Sequence, residues 1–494
     1  MTPREPLMTS DRGAEHHDGR RDVPIDTVDV EASAGPIRAA RLGGVVAARG
    51  VPYAADPTGL RRLAAPQRLP RWEARRDATR IGPAVPQPPS RLQRITGESP
   101  TRAAEAGSLH VNIWTQSLEG SRAVLLWFHG GAWTTGSASW DCYDGAALAA
   151  AEGIVVVTAN YRLGALGYLH SARLGIADAS GAAASALGLA DQVMALQWVA
   201  ENIQDFGGDP ARITVGGQSA GAEAAIHLGA LAETRDLVTG VIAQSAPAGW
   251  AQPTEQQIAL STSLFFDALG LEQDHPAPHV PTRTAEIPAI LAAHASAMRH
   301  PSRTGSLLPP FRPTVAGSMR WESLPEAVAA FPPSTGLLIG SNADETRAFF
   351  DGDERIAATP REKGAGVAEE FVTGGADAYR MLESSDRSAP VSQLITDAVT
   401  HAGIAEPSLA AARAAHSAWA YRVELAGPVG ACHCIDLPLL FGRDRFDGAL
   451  LIDGIDADRL SAATGRFRSA VGAFVRDGQP GWRAVGSGDI QIID

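Results

Sequence analysis

The sequence predicts an α/β fold with a mostly parallel, doubly wound sheet. Two observations carry that expectation. Several short apolar runs are continuous rather than alternating, as in strands covered on both faces. Helix-like segments separate the later ones, and strand alternating with helix builds a parallel sheet.

The runs follow in order as "AVLLWF" (Ala123 to Phe128), "GIVVVTAN" (Gly153 to Asn160), "RITVGG" (Arg212 to Gly217), "GVIAQ" (Gly240 to Gln244) and "GLLIG" (Gly336 to Gly340). Between the second and third, "LADQVMALQWVAENI" places Leu189, Val193, Leu196, Ala200 and Ile203 on one helical face. It stops before "FGGDP", where paired glycines and a proline break the helix. The Ala-rich "AGAEAAIHLGAL" predicts a second helix directly after Ser219. Two stretches lack a convincing buried strand, near residues 252–321 and 351–413, and are expected to be helical cap insertions. Residues 23–494 are expected to form one domain, after a tail over residues 1–22 whose composition predicts disorder.

Composition excludes several functions. A formal net charge of −13 argues against a nucleic-acid partner, because phosphates need a basic surface. No apolar run approaches the length of a membrane span. Cys142, Cys432 and Cys434 make no disulfide framework. Together with an N-terminus that lacks the apolar core of a signal peptide, they predict a cytoplasmic protein.

The chemistry is concentrated in "VGGQSAGA", Val215 to Ala222. Ser219 stands between a predicted strand and a predicted helix, framed by Gly217 and Gly221 in a strained turn. Upstream, "FHGGAW" (Phe128 to Trp133) follows another buried strand and can aim backbone N–H groups at a developing oxyanion. Ala220, after the nucleophile, supplies a further donor. His129 is expected to brace that loop rather than react. Of the 13 histidines, His433 in "GACHCIDLPLLFG" is the best base, lying in a late Gly-bearing loop. "GLLIGSNADETRAFF" offers two acids, Asp344 and Glu345, just past a strand, and local chemistry does not choose between them. A metal held by Cys432, His433 and Cys434 is not expected, since the spacing gives poor geometry and too few ligands. Trp133 and Trp250 are expected to be pocket walls.

These blocks together resemble the type-B carboxylesterases, which include para-nitrobenzyl esterases and cholinesterases. The resemblance spans nearly the whole chain and includes "NYRLGALGYL" and "DQVMALQWVAENIQDFGGDPARITVGGQSAGA". It implies an α/β-hydrolase fold and a catalytic set of Ser219, Glu345 and His433, with Gly131, Ala132 and Ala220 as the oxyanion hole. No cofactor is implied. Two departures stand out. Gln218 replaces the acidic residue that usually precedes the serine, and "EAGSL" (Glu105 to Leu109) replaces a block that usually carries a cysteine and an acidic pair. The buried charge contact that usually braces Arg162 of the "NYR" motif is thereby expected to be missing or rebuilt.

The function expected is hydrolysis of small neutral esters through an acyl-enzyme, with Gln218 tuning the site without touching the Ser–His–Glu relay. An aryl-carbamate or amide hydrolase would use the same machinery. A catalytically inactive binding protein on the same fold is the reading from another class. Loss of the serine or histidine would mark it, and neither is lost.

Overall fold

In a computed structural model, the protein is described over residues 26–97, 102–169, 186–250, 253–271, 279–299, 307–314, 321–487 and 489–494. The expected disordered tail over residues 1–22 lies outside these.

One sheet of 12 strands organises the molecule. Its strands are β1 (Thr27–Ala32), β2 (Gly35–Leu42), β3 (Val45–Pro52), β4 (Arg76–Ala78), β5 (His110–Thr115), β6 (Arg122–Phe128), β7 (Val155–Ala159), β8 (Gly208–Gln218), β9 (Gly240–Gln244), β10 (Gly336–Asn342), β11 (Ala418–Val423) and β12 (Gln491–Ile493). The spatial order is β1-β2-β3-β5-β7-β6-β8-β9-β10-β11-β12, with β4 beside β2. The five apolar runs are β6 to β10, and they lie side by side in parallel as β7-β6-β8-β9-β10. Each has both faces covered, which is why their sequences do not alternate. The strands β1, β2, β3, β5 and β7 pair antiparallel and extend the sheet on one side. On the other side β11 and β12 continue it in parallel.

The helix Leu187–Asn202 packs on one face of this sheet. Its buried surface is wider than the sequence stripe: Ala195, Leu196 and Val199 are fully buried, whereas Val193 and Ala200 lie at the rim. Asp191 is buried on the same helix and answers the question about Arg162. Its carboxylate accepts from Arg162 Nε and Nη2 at 2.7 Å each, and from the Arg162 backbone N–H at 3.0 Å. A two-pronged pair of this kind resists separation, because removing one partner would strand the other charge in a dry interior. Glu105, from the altered block, pairs instead with Arg62 at 2.5 Å.

Helices Glu255–Ala268 and Ile287–Met298 lie between β9 and β10, and helices Arg361–Phe371, Gly375–Ser385 and Val391–Thr400 lie between β10 and β11. The first pair packs around Phe265, Phe266 and Ile290. The second group packs around Phe371, Tyr379 and Ile395. A cavity opens between these two apolar clusters, touched by Leu308 from the first and by Leu307 and Phe349 from the second.

Candidate active site

Parallel strands end on one edge of the sheet, and loops leaving that edge converge. β8 ends at Gln218, and the helix Ala220–Ala230 begins one residue after Ser219. Ser219 joins them with φ 56° and ψ −121°, a conformation that costs on the order of 1–3 kcal/mol for a residue with a side chain. Its N–H is held by the Gln244 carbonyl at 2.8 Å. The flanking glycines are required by contact. A Cβ on Gly217 would lie 2.3 Å from the Gly221 carbonyl, and one on Gly221 would lie 2.1 Å from the Phe128 carbonyl oxygen.

Strain extends beyond the elbow. Among the described residues six non-glycine positions have positive φ, and five of them, Ala132, Trp133, Ser219, Ser245 and Cys434, lie in the loops gathered here. With Gly131 at φ 108°, residues 131–133 form a consecutive left-handed run after β6. Among the described residues the N–H groups of Gly131, Ala132 and Ala220 meet no protein acceptor. His129 braces this loop, its ring stacked on Tyr161 at 4.5 Å and its Nδ1 2.8 Å from the Gly130 carbonyl. Burial lowers its pKa to about 4, so it is neutral at physiological pH.

The two acids separate clearly. Glu345, fully buried, places Oε2 2.6 Å from His433 Nδ1, while its Oε1 accepts from the Asn342 N–H at 2.7 Å. Asp344 turns away, accepting from the Ala431 N–H at 2.8 Å, and so anchors the loop that carries His433. The carboxylate at Nδ1 fixes the imidazole with its lone pair at Nε2.

That lone pair meets Gln218. The amide Nε2 lies 3.0 Å from His433 Nε2, and among the described residues Ser219 Oγ makes no hydrogen bond. The expectation that Gln218 leaves the relay untouched is therefore corrected: its amide N–H donates to the same nitrogen that a serine proton would need. A carboxylate there would add a charge beside the ring. We expect Gln218→Glu to raise the ratio of choline-ester to neutral-ester kcat/KM by up to about tenfold, the scale of one partly screened charge. Steady-state kinetics on both esters check this, and an unchanged ratio would show that the amide's neutrality is immaterial.

A cavity of ≈ 250 Å³ joins these groups. Gly131, Ala132, Gln218, Ser219 and His433 line it, and so does Trp250, whose Nε1 donates to the Phe371 carbonyl at 3.0 Å. Trp133 does not. It is 1% exposed and packs with Ala165, Leu166 and Phe265, because the left-handed turn at Ala132 directs the chain inward. The expectation of a pocket wall at Trp133 is corrected accordingly. Phe349, Trp140 and Tyr143 supply aromatic lining that sequence reasoning missed. Phe349 lies 5.3 Å from the His433 ring, four residues after Glu345. Its one legible signal was that short helical spacing.

Behind His433 lies a further carboxyl. Asp436 is fully buried; its Oδ2 is 3.5 Å from Ser245 Oγ and, among the described residues, its Oδ1 has no partner. Burial, then the neighbouring Glu345 carboxylate, lift its pKa to about 7. A raised acid pKa means that the folded state holds this proton where the unfolded chain has lost it. Its contribution to stability is thus present at low pH and lost as pH rises from about 4 through about 7. Melting temperatures measured from pH 5 to 8 should therefore fall less steeply in Asp436→Asn than in the parent, and equal slopes would contradict this account.

Cys432 and Cys434 flank His433, but burial and the Glu345 carboxylate push the Cys432 thiol up to about 12, which disfavours the thiolate a metal would need. Among the described residues no group of three or more His, Cys, Asp or Glu side chains is arranged to hold a metal, and no helix is long and apolar enough to cross a membrane.

A strained serine between strand and helix, backed by a His–Glu pair at the strand ends, defines an α/β-hydrolase. The chain belongs to the carboxylesterase family, whose model matches residues 26–484. Over 469 residues it is 34% identical to a probable N-octanoylanthranilate hydrolase of Rhodococcus erythropolis, covering 92% of this chain and 94% of that one. It is 30% identical to phenmedipham hydrolase of Pseudarthrobacter oxydans, covering 91% and 90%. Among solved structures it is similar to the carboxylesterase EST55 of Geobacillus stearothermophilus, with a TM-score of 0.79, 29% identity and 92% of each chain covered. The protein is a carboxylesterase, a serine hydrolase of ester bonds, and the inactive-binding-protein reading falls away.

Proposed function

We propose that Ser219, His433 and Glu345 hydrolyse small carboxylic esters through an acyl-enzyme, in a cavity that holds uncharged ester chains against apolar walls. The observation that carries this reading is the His433–Glu345 contact at 2.6 Å beside the Ser219 elbow. Ester binding displaces the Gln218 amide from His433 Nε2, which then accepts the Ser219 proton as Oγ attacks the carbonyl carbon. The carbonyl oxygen becomes negative against the N–H groups of Gly131, Ala132 and Ala220. His433 returns the proton to the departing alkoxide, leaving an ester on Ser219. Water attacks that ester, giving its proton to His433, and the tetrahedral intermediate releases the carboxylic acid with the proton returned to Oγ. No cofactor enters, and Trp250 and Gln218 contribute to the substrate wall.

An amide or carbamate reading shares every step. One relative's name specifies an N-acyl substrate, which favours including it. Cys142, Cys432 and Cys434 are buried and none is in a disulfide, which supports a reducing, cytoplasmic setting. The test is a panel of para-nitrophenyl esters of increasing acyl length, run beside an aryl carbamate and an anilide. Turnover of short esters is expected, with faster ester than anilide cleavage; exclusive anilide or carbamate cleavage would replace the ester reading.

A further inference from the structure

The cavity wall carries charge of one sign. Arg91 and Arg299 line it, and among the described residues no aspartate or glutamate does. Glu345 and Asp436, the acids nearest to His433, are 0% exposed behind it. Among the described residues neither guanidinium has a carboxylate partner, whereas the nearby Arg94 is paired with Asp351 at 2.5 Å. Among the described residues, two cations without carboxylate partners therefore face a space whose walls are otherwise mostly apolar.

Arg91 is placed with some definition. Its guanidinium lies 5.8 Å from the centre of the Phe349 ring, and its Nη1 is 3.4 Å from the Leu307 carbonyl. Phe349 in turn lies 5.3 Å from the His433 ring, so the cation stands one aromatic ring away from the base. Arg299 follows the helix Ile287–Met298, whose His294 and Met298 belong to the same wall. His294 adds no further positive charge, since burial lowers its pKa to about 4 and keeps it neutral. Gln218, at the floor, is neutral as well. Low-dielectric walls around charges of one sign concentrate the field in the opening.

We infer that the enzyme prefers esters carrying a free carboxylate remote from the scissile bond, with Arg91 and Arg299 receiving it at the mouth while the ester carbonyl sits at Ser219. Neutral esters remain substrates, as the apolar lining requires. The inference rests on the proposed role of Ser219 and adds to it a substrate class. It also explains how an acidic protein can take an anionic substrate: the net charge of −13 belongs to the whole surface, not to the cavity lining. Within a Debye length of about 8–10 Å, the nearby cations dominate the more distant acids.

The experiment uses para-nitrophenyl heptanedioate, with its free terminal carboxylate, its terminal carboxamide analogue, and an analogue ending in trimethylammonium. At low ionic strength kcat/KM should fall in the order carboxylate, carboxamide, ammonium. The carboxylate to carboxamide ratio should be about tenfold, the scale of two partly screened guanidiniums. Raising salt to about 0.5 M should cut that ratio severalfold in the unmodified enzyme. Arg91→Gln and Arg299→Gln should each lower it, and the double variant should bring it near one. A ratio of one or less in the active parent enzyme, or a ratio indifferent to salt, overturns the inference while leaving the ester reading intact. Carboxamide turnover that survives Ser219→Ala, or no turnover of any of the three by folded protein, overturns the nucleophile assignment and this inference with it.

Discussion

Replacing Ser219 with alanine is expected to lower kcat on short para-nitrophenyl esters by at least ~10³-fold, the scale of triad knock-outs, and to abolish labelling by an organophosphonate. The reason is positional. The elbow holds this one side chain at φ 56° over the cavity, and the two glycines that frame it leave no space for a substitute. Among the other hydroxyls of the lining, Ser245 is 3.5 Å from Asp436 and accepts from the Asn342 amide at 3.2 Å, so it is tied into a separate buried network. The backbone donors persist in the variant, so a small residual rate from oxyanion stabilisation is compatible with the assignment. Stoichiometric labelling of Ser219→Ala, read by intact-protein mass, would refute it.

The second large effect distinguishes two adjacent acids. Glu345→Gln removes the charge 2.6 Å from His433 Nδ1 and also allows the amide to present N–H to the ring, which favours the wrong tautomer. A loss of kcat on the order of 10³–10⁴-fold is expected, as for the orienting acid in other triads. Asp344→Asn should cost far less. Its carboxylate accepts from the Ala431 N–H, and an asparagine Oδ1 can accept the same bond, so the His433 loop keeps its anchor. Both variants should keep near-parent melting curves if they fold. A reversal of their kcat ranking would show that the loop anchor, not the buried glutamate, orients the base.

Much of this was legible because it is written locally. The runs that became β6 to β10 are continuous and apolar, and a covered strand needs nothing else to be recognised. The elbow is a contiguous set of Gly217, Ser219 and Gly221, dictated by contacts over a few residues. The first strands were less legible. In β1 only Val30 and Ala32 are buried, so "TVDVEA" offers too short an alternation to distinguish from a loop. β12 has only three residues.

By itself, then, the sequence determined the layered architecture, the strand–turn–helix elbow at Ser219 and the glycine-bearing loop after β6, all of which depend on neighbours in the chain. Only the tertiary structure decided relations between distant segments. From the local residues, Asp344 and Glu345 are equivalent candidates, and their roles diverge because Ala431 meets one and His433 the other. Gln218 and His433 are separated by 215 positions, so no spacing rule could reveal that an amide meets His433 Nε2. Arg162 finds Asp191 across 29 positions although its customary block is altered. Trp133 disappears into the core through a backbone reversal that its side chain does not encode. Periodicity reports which face of an element is buried; it does not report what that face meets, because that contact depends on how elements remote in sequence are brought together.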